Sequence, residues 1–187
     1  MLDYVGQWAD VSPDESYRYS LEREWHSSTS GAKWRWLGVN DGAGKPIGEP
    51  KTCLFVMLNP STADALKDDP TIRRCVGFAN RLRYDALQVV NLFAARASSP
   101  KELFNRAKEG KDIIGPRNQE VIERAATRAG IIICAWGVNG GWAGQDETVR
   151  GWLQKASALP HYTLGLTNKG HPRHPLYVRN DAALHTF

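Results

Sequence analysis

The sequence of 187 residues contains only three cysteines, Cys53, Cys75 and Cys134, and no two of them form a Cys-x-x-Cys pair. So few and so widely spaced sulfur ligands argue against a disulfide framework, an all-cysteine zinc site and a four-cysteine iron–sulfur site. No apolar run approaches the ~20 residues that a bilayer span requires, and no basic segment followed by an apolar stretch marks a secretory signal. We therefore expect a reduced, cytoplasmic protein with no membrane partner.

Several common catalytic motifs are also missing. Gly44-Lys45 has neither the upstream glycine nor the following Ser or Thr of a P-loop. The glycines between 137 and 144 do not fit Gly-x-Gly-x-x-Gly, and no Gly-x-Ser-x-Gly presents a serine nucleophile. His171 and His174 could bind a metal only with an aspartate as third ligand, and their loop contains two prolines, which suits a metal site poorly. We predict no metal and no cofactor.

Positive charge is in modest excess, with 24 Lys and Arg against 20 Asp and Glu, for a net charge of +4. The first 15 residues carry four acidic and no basic side chains, so the rest of the chain is more basic than the total suggests. This distribution permits an anionic partner. The length predicts one domain over 1–187, which we expect to be a monomer, with an acidic segment at 1–16 and a β-hairpin within 17–50. The hairpin would pair an edge strand at 17–25 with a strand at 33–39.

Beyond residue 50, short apolar runs alternate with helical patterns. The runs are 52–58, 86–90, 131–135 and 161–166, and the helical patterns are 71–83, 116–129 and 147–158. Continuous apolar runs are typical of parallel strands that are buried on both faces. The order predicts an α/β fold with a mostly parallel four-stranded sheet. Ligands in such sheets bind beyond the carboxyl ends of the strands, where polar residues follow all four runs.

The chain from about residue 17 to 180 resembles the bacterial and phage domain-of-unknown-function family 1643. The residues that carry this resemblance form six motifs: Tyr17-Arg18-Tyr19-Ser20-Leu21, Leu58-Asn59-Pro60-Ser61-Thr62-Ala63-Asp64, Asp68-Asp69-Pro70-Thr71-Ile72-Arg73-Arg74-Cys75, Asn91-Leu92-Phe93-Ala94, Ala135-Trp136-Gly137 and His171-Pro172-Arg173-His174-Pro175-Leu176-Tyr177. Membership in this family implies no function by its name.

A more distant resemblance is to the uracil-DNA glycosylase superfamily. It rests on four motifs at the strand ends: Leu58-Asn59-Pro60, Asn91, Ala135-Trp136-Gly137 and the segment from His171 to Leu176. The resemblance implies a three-layer αβα fold, DNA as the partner and no cofactor. Met57 stands where the superfamily has glycine, which favours a damaged or modified base over uracil. The histidine segment is one residue longer than the superfamily's, so either His171 or His174 would take its catalytic role.

Base excision passes through an oxocarbenium-like sugar while negative charge develops on the departing base. The resemblance implies that Asn59 holds the attacking water. An amide cannot accept the proton of that water, whereas a carboxylate can, and Asp64, Asp68 and Asp69 follow on the same loop. We favour Asp69 over Asp68. The alternative for both is that they cap the helix that begins near Thr71.

Other candidates would bind the substrate. The resemblance implies that one of the two histidines donates a hydrogen bond to the base oxygen and that Asn91 recognises the edge of the base. An aromatic side chain should stack on a flipped base, and the candidates are Phe78, Phe93 and Trp136. Five further side chains are expected to bind DNA: Ser61, Arg73, Arg74, Lys169 and Arg173.

These expectations combine into a monofunctional DNA base glycosylase that flips a damaged or modified base, such as a hypermodified phage base, and leaves an abasic site. Its role would be repair or antiviral defence. Three alternatives stay open: a hydrolase of free nucleosides or nucleotides, a non-catalytic nucleic-acid-binding module, and a metal-dependent hydrolase that uses His171, His174 and an aspartate.

Overall fold

The computed structural model describes residues 3–25, 51–61 and 66–187. Over these residues the chain forms one sheet whose strands are β1 (Tyr4–Val11), β2 (Arg18–Trp25), β3 (Thr52–Met57), β4 (Ala86–Asn91), β5 (Ile131–Cys134), β6 (His161–Thr163) and β7 (His185–Thr186). Their order across the sheet is β1-β2-β4-β3-β5-β6-β7. Strands β4, β3, β5 and β6 are parallel neighbours, and β1, β2 and β7 pair antiparallel.

The α/β class is confirmed, and over the described residues the sheet is mixed and has seven strands, so it extends beyond the four predicted strands. The strands that sequence analysis missed are β1 and β7. Most residues of β1 are half-buried or exposed, as expected for an edge strand, and β7 is only two residues long. Neither produces the continuous apolar run by which doubly buried strands are recognised.

The prediction that residues 17–25 form an edge strand is also wrong. Strand β2 lies inside the sheet, where Leu21 pairs with Ala9 of β1 on one side and with Val89 of β4 on the other. Seven of its eight residues are buried. The predicted partner strand at 33–39 lies outside the described residues. Alternation mixed with aromatic residues indicates an edge strand in this segment, whereas the polar Arg23 of β2 is buried beside Asp68.

Helices cover both faces of the sheet: α1 (Pro70–Arg81), α2 (Pro100–Lys108), α3 (Asn118–Arg128) and α4 (Gln145–Ala156). Successive side chains of β3 point to opposite faces, as the period of a strand requires. Phe55 packs in the cluster that contains the buried face of α1, and Leu54 and Val56 pack in the cluster shared by α2, α3 and α4. This double burial explains the continuous apolar sequence of β3.

Helix α2 is absent from the sequence prediction, although its start carries a standard signal. Ser99 is the N-cap and accepts a hydrogen bond from the backbone N–H of Glu102, while Pro100 occupies the first turn. Ser or Thr followed three residues later by Glu is the capping box, and proline is favoured at the first helical position. Among the described helices, none combines the length and the apolar character that crossing a membrane would require.

Candidate active site

A cavity of about 650 Å³ opens at the carboxyl ends of the parallel strands. Strands β3 and β5 are neighbours in the sheet. The chain continues from β3 to β4, towards one edge of the sheet, and from β5 to β6, towards the other edge. The crevice at such a topological switch point is where open α/β sheets bind their ligands. Residues that follow β3, β5 and β6 line it, including Asn59, Trp136 and His174.

Asn59 follows β3 and has a fixed side-chain orientation. Its carboxamide nitrogen donates to the carbonyl oxygens of Pro60 and Ala97, each at 3.0 Å. Two carbonyl partners identify this atom as the nitrogen, because a carbonyl can only accept. The carboxamide oxygen is therefore the atom of Asn59 that can accept a hydrogen bond from a water molecule or a ligand.

Asp69 combines the two roles that sequence analysis treated as alternatives. As the N-cap of α1, its Oδ1 accepts from the backbone N–H of Ile72 at 2.8 Å. Its Oδ2 accepts a short hydrogen bond from the hydroxyl of Ser61, and both residues line the cavity. A helix N-terminus favours a negatively charged side chain. The cap thus holds an acceptor carboxylate at the cavity wall.

Asp68, next to Asp69, has different partners and does not line the cavity. Arg23 donates to it through Nε at 2.8 Å, and the hydroxyl of Tyr4 donates to it at 2.5 Å. Burial, followed by the hydrogen bond to Asp68, raises the pKa of Tyr4. Asp64, the third candidate carboxylate, lies outside the described residues.

Asn91 ends β4 and is 1% exposed, yet it lines the cavity. Its side-chain nitrogen is buried and has no hydrogen-bond partner among the described residues. Buried amides are almost always hydrogen-bonded, so an unpaired one at a cavity wall is suited to bind a ligand. The placement agrees with the position expected for the residue that recognises the base.

Two buried amides hold the backbone around Asn91. Asn118 donates to the carbonyl oxygens of Asn91 and Leu92 at 3.0 and 3.1 Å. Gln145 also donates to the carbonyl of Leu92, at 3.1 Å. The sequence carries no signal for either residue, because their partners are distant along the chain.

We expect Asn118→Ala to destabilise the fold by about 2 kcal/mol, because the carbonyl of Asn91 loses the side-chain donor that Asn118 provides. Gln145→Ala should cost only about 1 kcal/mol, since Asn118 still donates to Leu92. Urea unfolding of both variants measures the difference. Equal losses of unfolding free energy would contradict a special role for Asn118.

The structure distinguishes the two candidate histidines. His174 lines the cavity, and its Nδ1 accepts from the backbone N–H of Leu176 at 3.3 Å. Burial lowers the pKa of His174, and the charge of Asp69 acts in the opposite direction. His171 is not among the lining residues, and its Nδ1 lies 3.5 Å from Oδ2 of Asp146. The prediction that His171 belongs to the site is therefore not supported by its position.

Gly137 helps to place the histidine loop. Its N–H donates to the carbonyl of Pro172 at 2.8 Å, and its φ of +76° lies in the left-handed region that favours glycine. This bond connects the segment after β5 with the segment after β6. A side chain at residue 137 would meet Cβ of His174 at 3.6 Å, so the two segments pack closely.

Only one of the three predicted stacking aromatics lines the cavity, and it is Trp136. Phe78 is buried on α1, with the guanidinium groups of Arg74 and Arg81 over its ring. Phe93 is buried in the opposite cluster, in edge contact with Phe104. The structure does not bring these two rings to the cavity, because a position within α1 or just after β4 does not by itself show which way an aromatic ring points. Tyr177, which the sequence prediction omitted, lines the cavity and is exposed.

Some of the predicted DNA-binding residues line the cavity and others do not. Ser61, Lys169 and Arg173 line the cavity, whereas Arg73 and Arg74 do not. Arg73 donates to the backbone carbonyl of Asp68 at 2.8 Å. Arg74 donates to the carbonyls of Pro175 and Val178, so that it fixes the C-terminal segment instead of facing outward.

Metal-ligating side chains do not gather anywhere in residues 3–25, 51–61 and 66–187, where no group of three or more His, Cys, Asp or Glu is placed to hold an ion. His171 and His174 in particular have separate surroundings, beside Asp146 and near Asp69. Within these ranges the two histidines are therefore not placed together as metal ligands.

Comparison with known proteins gives a match to a protein family. The model of a family described as protein of unknown function (DUF1643) matches residues 18–176. No curated protein and no solved structure matches the chain. The family match confirms the resemblance indicated by the sequence motifs, and the resemblance to uracil-DNA glycosylases stays a prediction.

Proposed function

The chain belongs to the DUF1643 family, and from its cavity we propose that it is a monofunctional DNA base glycosylase. The observation that carries this proposal is the presence of Asn59, Asp69, Asn91 and His174 around one cavity. These residues supply the groups that hydrolysis of an N-glycosidic bond requires: a holder and an activator of water, a group that recognises the base, and a donor to the departing base. The substrate would be a damaged or modified base, such as a hypermodified phage base.

Asn59 and Asp69 would bind and activate the attacking water. The fixed carboxamide oxygen of Asn59 accepts one hydrogen of the water, and the carboxylate of Asp69 accepts the proton that the water loses. The water oxygen then bonds to the anomeric carbon of the oxocarbenium-like sugar as the bond to the base breaks. The products are the free base and an abasic site.

The base side would use His174, Asn91 and Trp136. Because Nδ1 of His174 accepts from a backbone N–H, its neutral ring carries the proton on Nε2. That N–H can donate to the oxygen on which negative charge develops when the base leaves. The unpaired amide of Asn91 would recognise the base edge, and Trp136, which is 1% exposed, would form part of the cavity wall beside the base.

The same proposal extends to the fold. We infer that the parallel strands β4, β3, β5 and β6, with α1 on one face and α3 and α4 on the other, correspond to the three-layer core of the uracil-DNA glycosylase superfamily. The remaining strands would then be additions to that core. The position of the cavity at the switch point between β3 and β5 supports this correspondence.

The proposal is tested by alkali-revealed strand cleavage, which detects abasic sites. Purified protein would be incubated with duplexes that contain uracil, oxidised bases or hypermodified phage bases. At least one duplex should be cleaved after alkali, and Asn59→Ala should lower that rate by about a hundredfold, because the water loses its acceptor. Absence of abasic product from every duplex would contradict the proposal, as would a wild-type rate for Asn59→Ala.

One observation favours free nucleotides as a second candidate substrate. Arg73 and Arg74 do not line the cavity, so two of the cations expected to hold DNA lie away from it. Lys169 and Arg173 remain at the cavity, which is enough for the phosphate of one nucleotide. Release of free base from nucleoside monophosphates, with no abasic sites in any duplex, would favour this candidate.

A further inference from the structure

Arg18 is the most buried charged side chain among the described residues that line the cavity, with 3% of the residue exposed. The other basic side chains at the cavity, Lys169 and Arg173, are exposed at its rim. In the sequence, Arg18 belongs to the first family motif and has no predicted role. A guanidinium at this depth keeps its charge, because arginine is not deprotonated in proteins.

The backbone places Arg18 beside the proposed base-recognition residue. It begins β2, and its N–H donates to the carbonyl of Ala94 at 2.9 Å, just beyond the end of β4. Strands β2 and β4 are antiparallel neighbours, with Leu21 opposite Val89. Arg18 therefore lies at the end of β4 that carries Asn91.

The fixed charges of the described lining residues favour an anionic ligand. Arg18, Lys169 and Arg173 are positive, and Asp69 is negative. With the phosphate of a nucleotide at the exposed cations Lys169 and Arg173, the base would lie nearer to Arg18, which is at the end of β4 that carries Asn91. Arg18 has contacts within the protein. A guanidinium has five N–H donors, however, so an arginine in such contacts can still donate to a ligand.

We propose that Arg18 binds the base of the substrate and that this base carries a carboxylate substituent. This inference rests on the proposed function, since it assumes that a base enters the cavity. Guanidinium and carboxylate form paired, charge-assisted hydrogen bonds, which are among the strongest polar contacts in proteins. The unpaired amide of Asn91 would add a neutral contact to the same base. An amino substituent at Arg18 would instead bring two donors together.

Calorimetric titration with two nucleotides tests the inference. One is a deoxyuridine monophosphate that carries a carboxylate on its base, and the other is thymidine monophosphate, which carries a methyl group at the same position. Wild-type protein should bind the carboxylate nucleotide at least about tenfold more tightly. Arg18→Gln should abolish this preference, and Arg18→Lys should keep part of it, because lysine retains the charge but not the paired geometry.

Lys169→Gln is the matched control, because it should weaken binding of both nucleotides by the same factor through their common phosphate. If Arg18→Gln does not fold, the inference is tested by the ratio of the two nucleotide affinities measured for Arg18→Lys. An unchanged preference in the folded variants, no preference in the wild type, or no binding of either nucleotide would overturn the inference.

Assays of released base on the same samples separate this inference from the proposed function. Loss of the preference in the Arg18 variants, with no base released from any substrate, would support Arg18 as a ligand-binding residue and contradict the glycosylase. Base release by a protein that binds both nucleotides equally would support the glycosylase and contradict the role of Arg18.

Discussion

His174→Ala is expected to lower the rate of base release by about a hundredfold to a thousandfold, the usual cost of removing one donor to a developing oxyanion. The reason is the tautomer: Nδ1 accepts from the N–H of Leu176, which leaves Nε2–H as the donor of the neutral ring. Single-turnover kinetics on the duplex that gives the most abasic product would measure the loss. His171→Ala is the matched control, because His171 is paired with Asp146 and does not line the cavity.

The pH profile gives a second test of the same residue. Burial lowers the pKa of His174 below its ordinary value of 6.5, so the ring stays neutral from high pH down to below that value. The rate of base release should therefore fall when the pH drops below 6.5, because a proton on Nδ1 breaks the hydrogen bond from the N–H of Leu176 that orients the ring. His174→Ala should lose the part of this acid limb that depends on His174. Equal loss of rate in His171→Ala, or an acid limb in His174→Ala that is unchanged from wild type, would contradict the assignment.

The parallel part of the fold was predictable because burial on both faces produces a continuous apolar sequence. Strand β3 shows this directly, since all but its first residue are buried. Strand β1 lies at the sheet edge with mixed burial, and it can be identified only from its pairing with β2. The internal position of β2 likewise depends on β1 and β4, which are distant in the sequence from each other.

The sequence predicts those cavity-lining residues that lie at the ends of the parallel strands. Asn59 and Asn91 follow parallel strands, whose carboxyl ends meet at one edge of the sheet, and both line the cavity. The choice between the two histidines depends on how their loop folds, including the bond from Gly137 to Pro172. Arg74 binds carbonyls about a hundred residues later in the chain, and local sequence contains no signal for such contacts.

Asp69→Asn is expected to lower the rate of base release by about a hundredfold or more, because an amide cannot accept the proton of the attacking water. This substitution separates the role of Asp69 as proton acceptor from its role as the N-cap of α1. Asparagine caps helices as well as aspartate does, so the hydrogen bond from the N–H of Ile72 can persist. Loss of the charge at the helix N-terminus and of the acceptor for Ser61 should lower the free energy of unfolding by only about 1 kcal/mol. Urea unfolding and single-turnover kinetics on one preparation would measure both quantities.

Asp68→Asn provides the adjacent control for this experiment. Asp68 is an acceptor for Arg23 and Tyr4 outside the cavity, so its substitution should reduce stability and leave the rate of the folded protein within about threefold of wild type. A normal rate in Asp69→Asn would show that another group activates the water. A large loss of rate in Asp68→Asn, with stability unchanged, would transfer that role to Asp68. The two neighbouring carboxylates thus distinguish general-base catalysis from helix capping and ion pairing in the same loop.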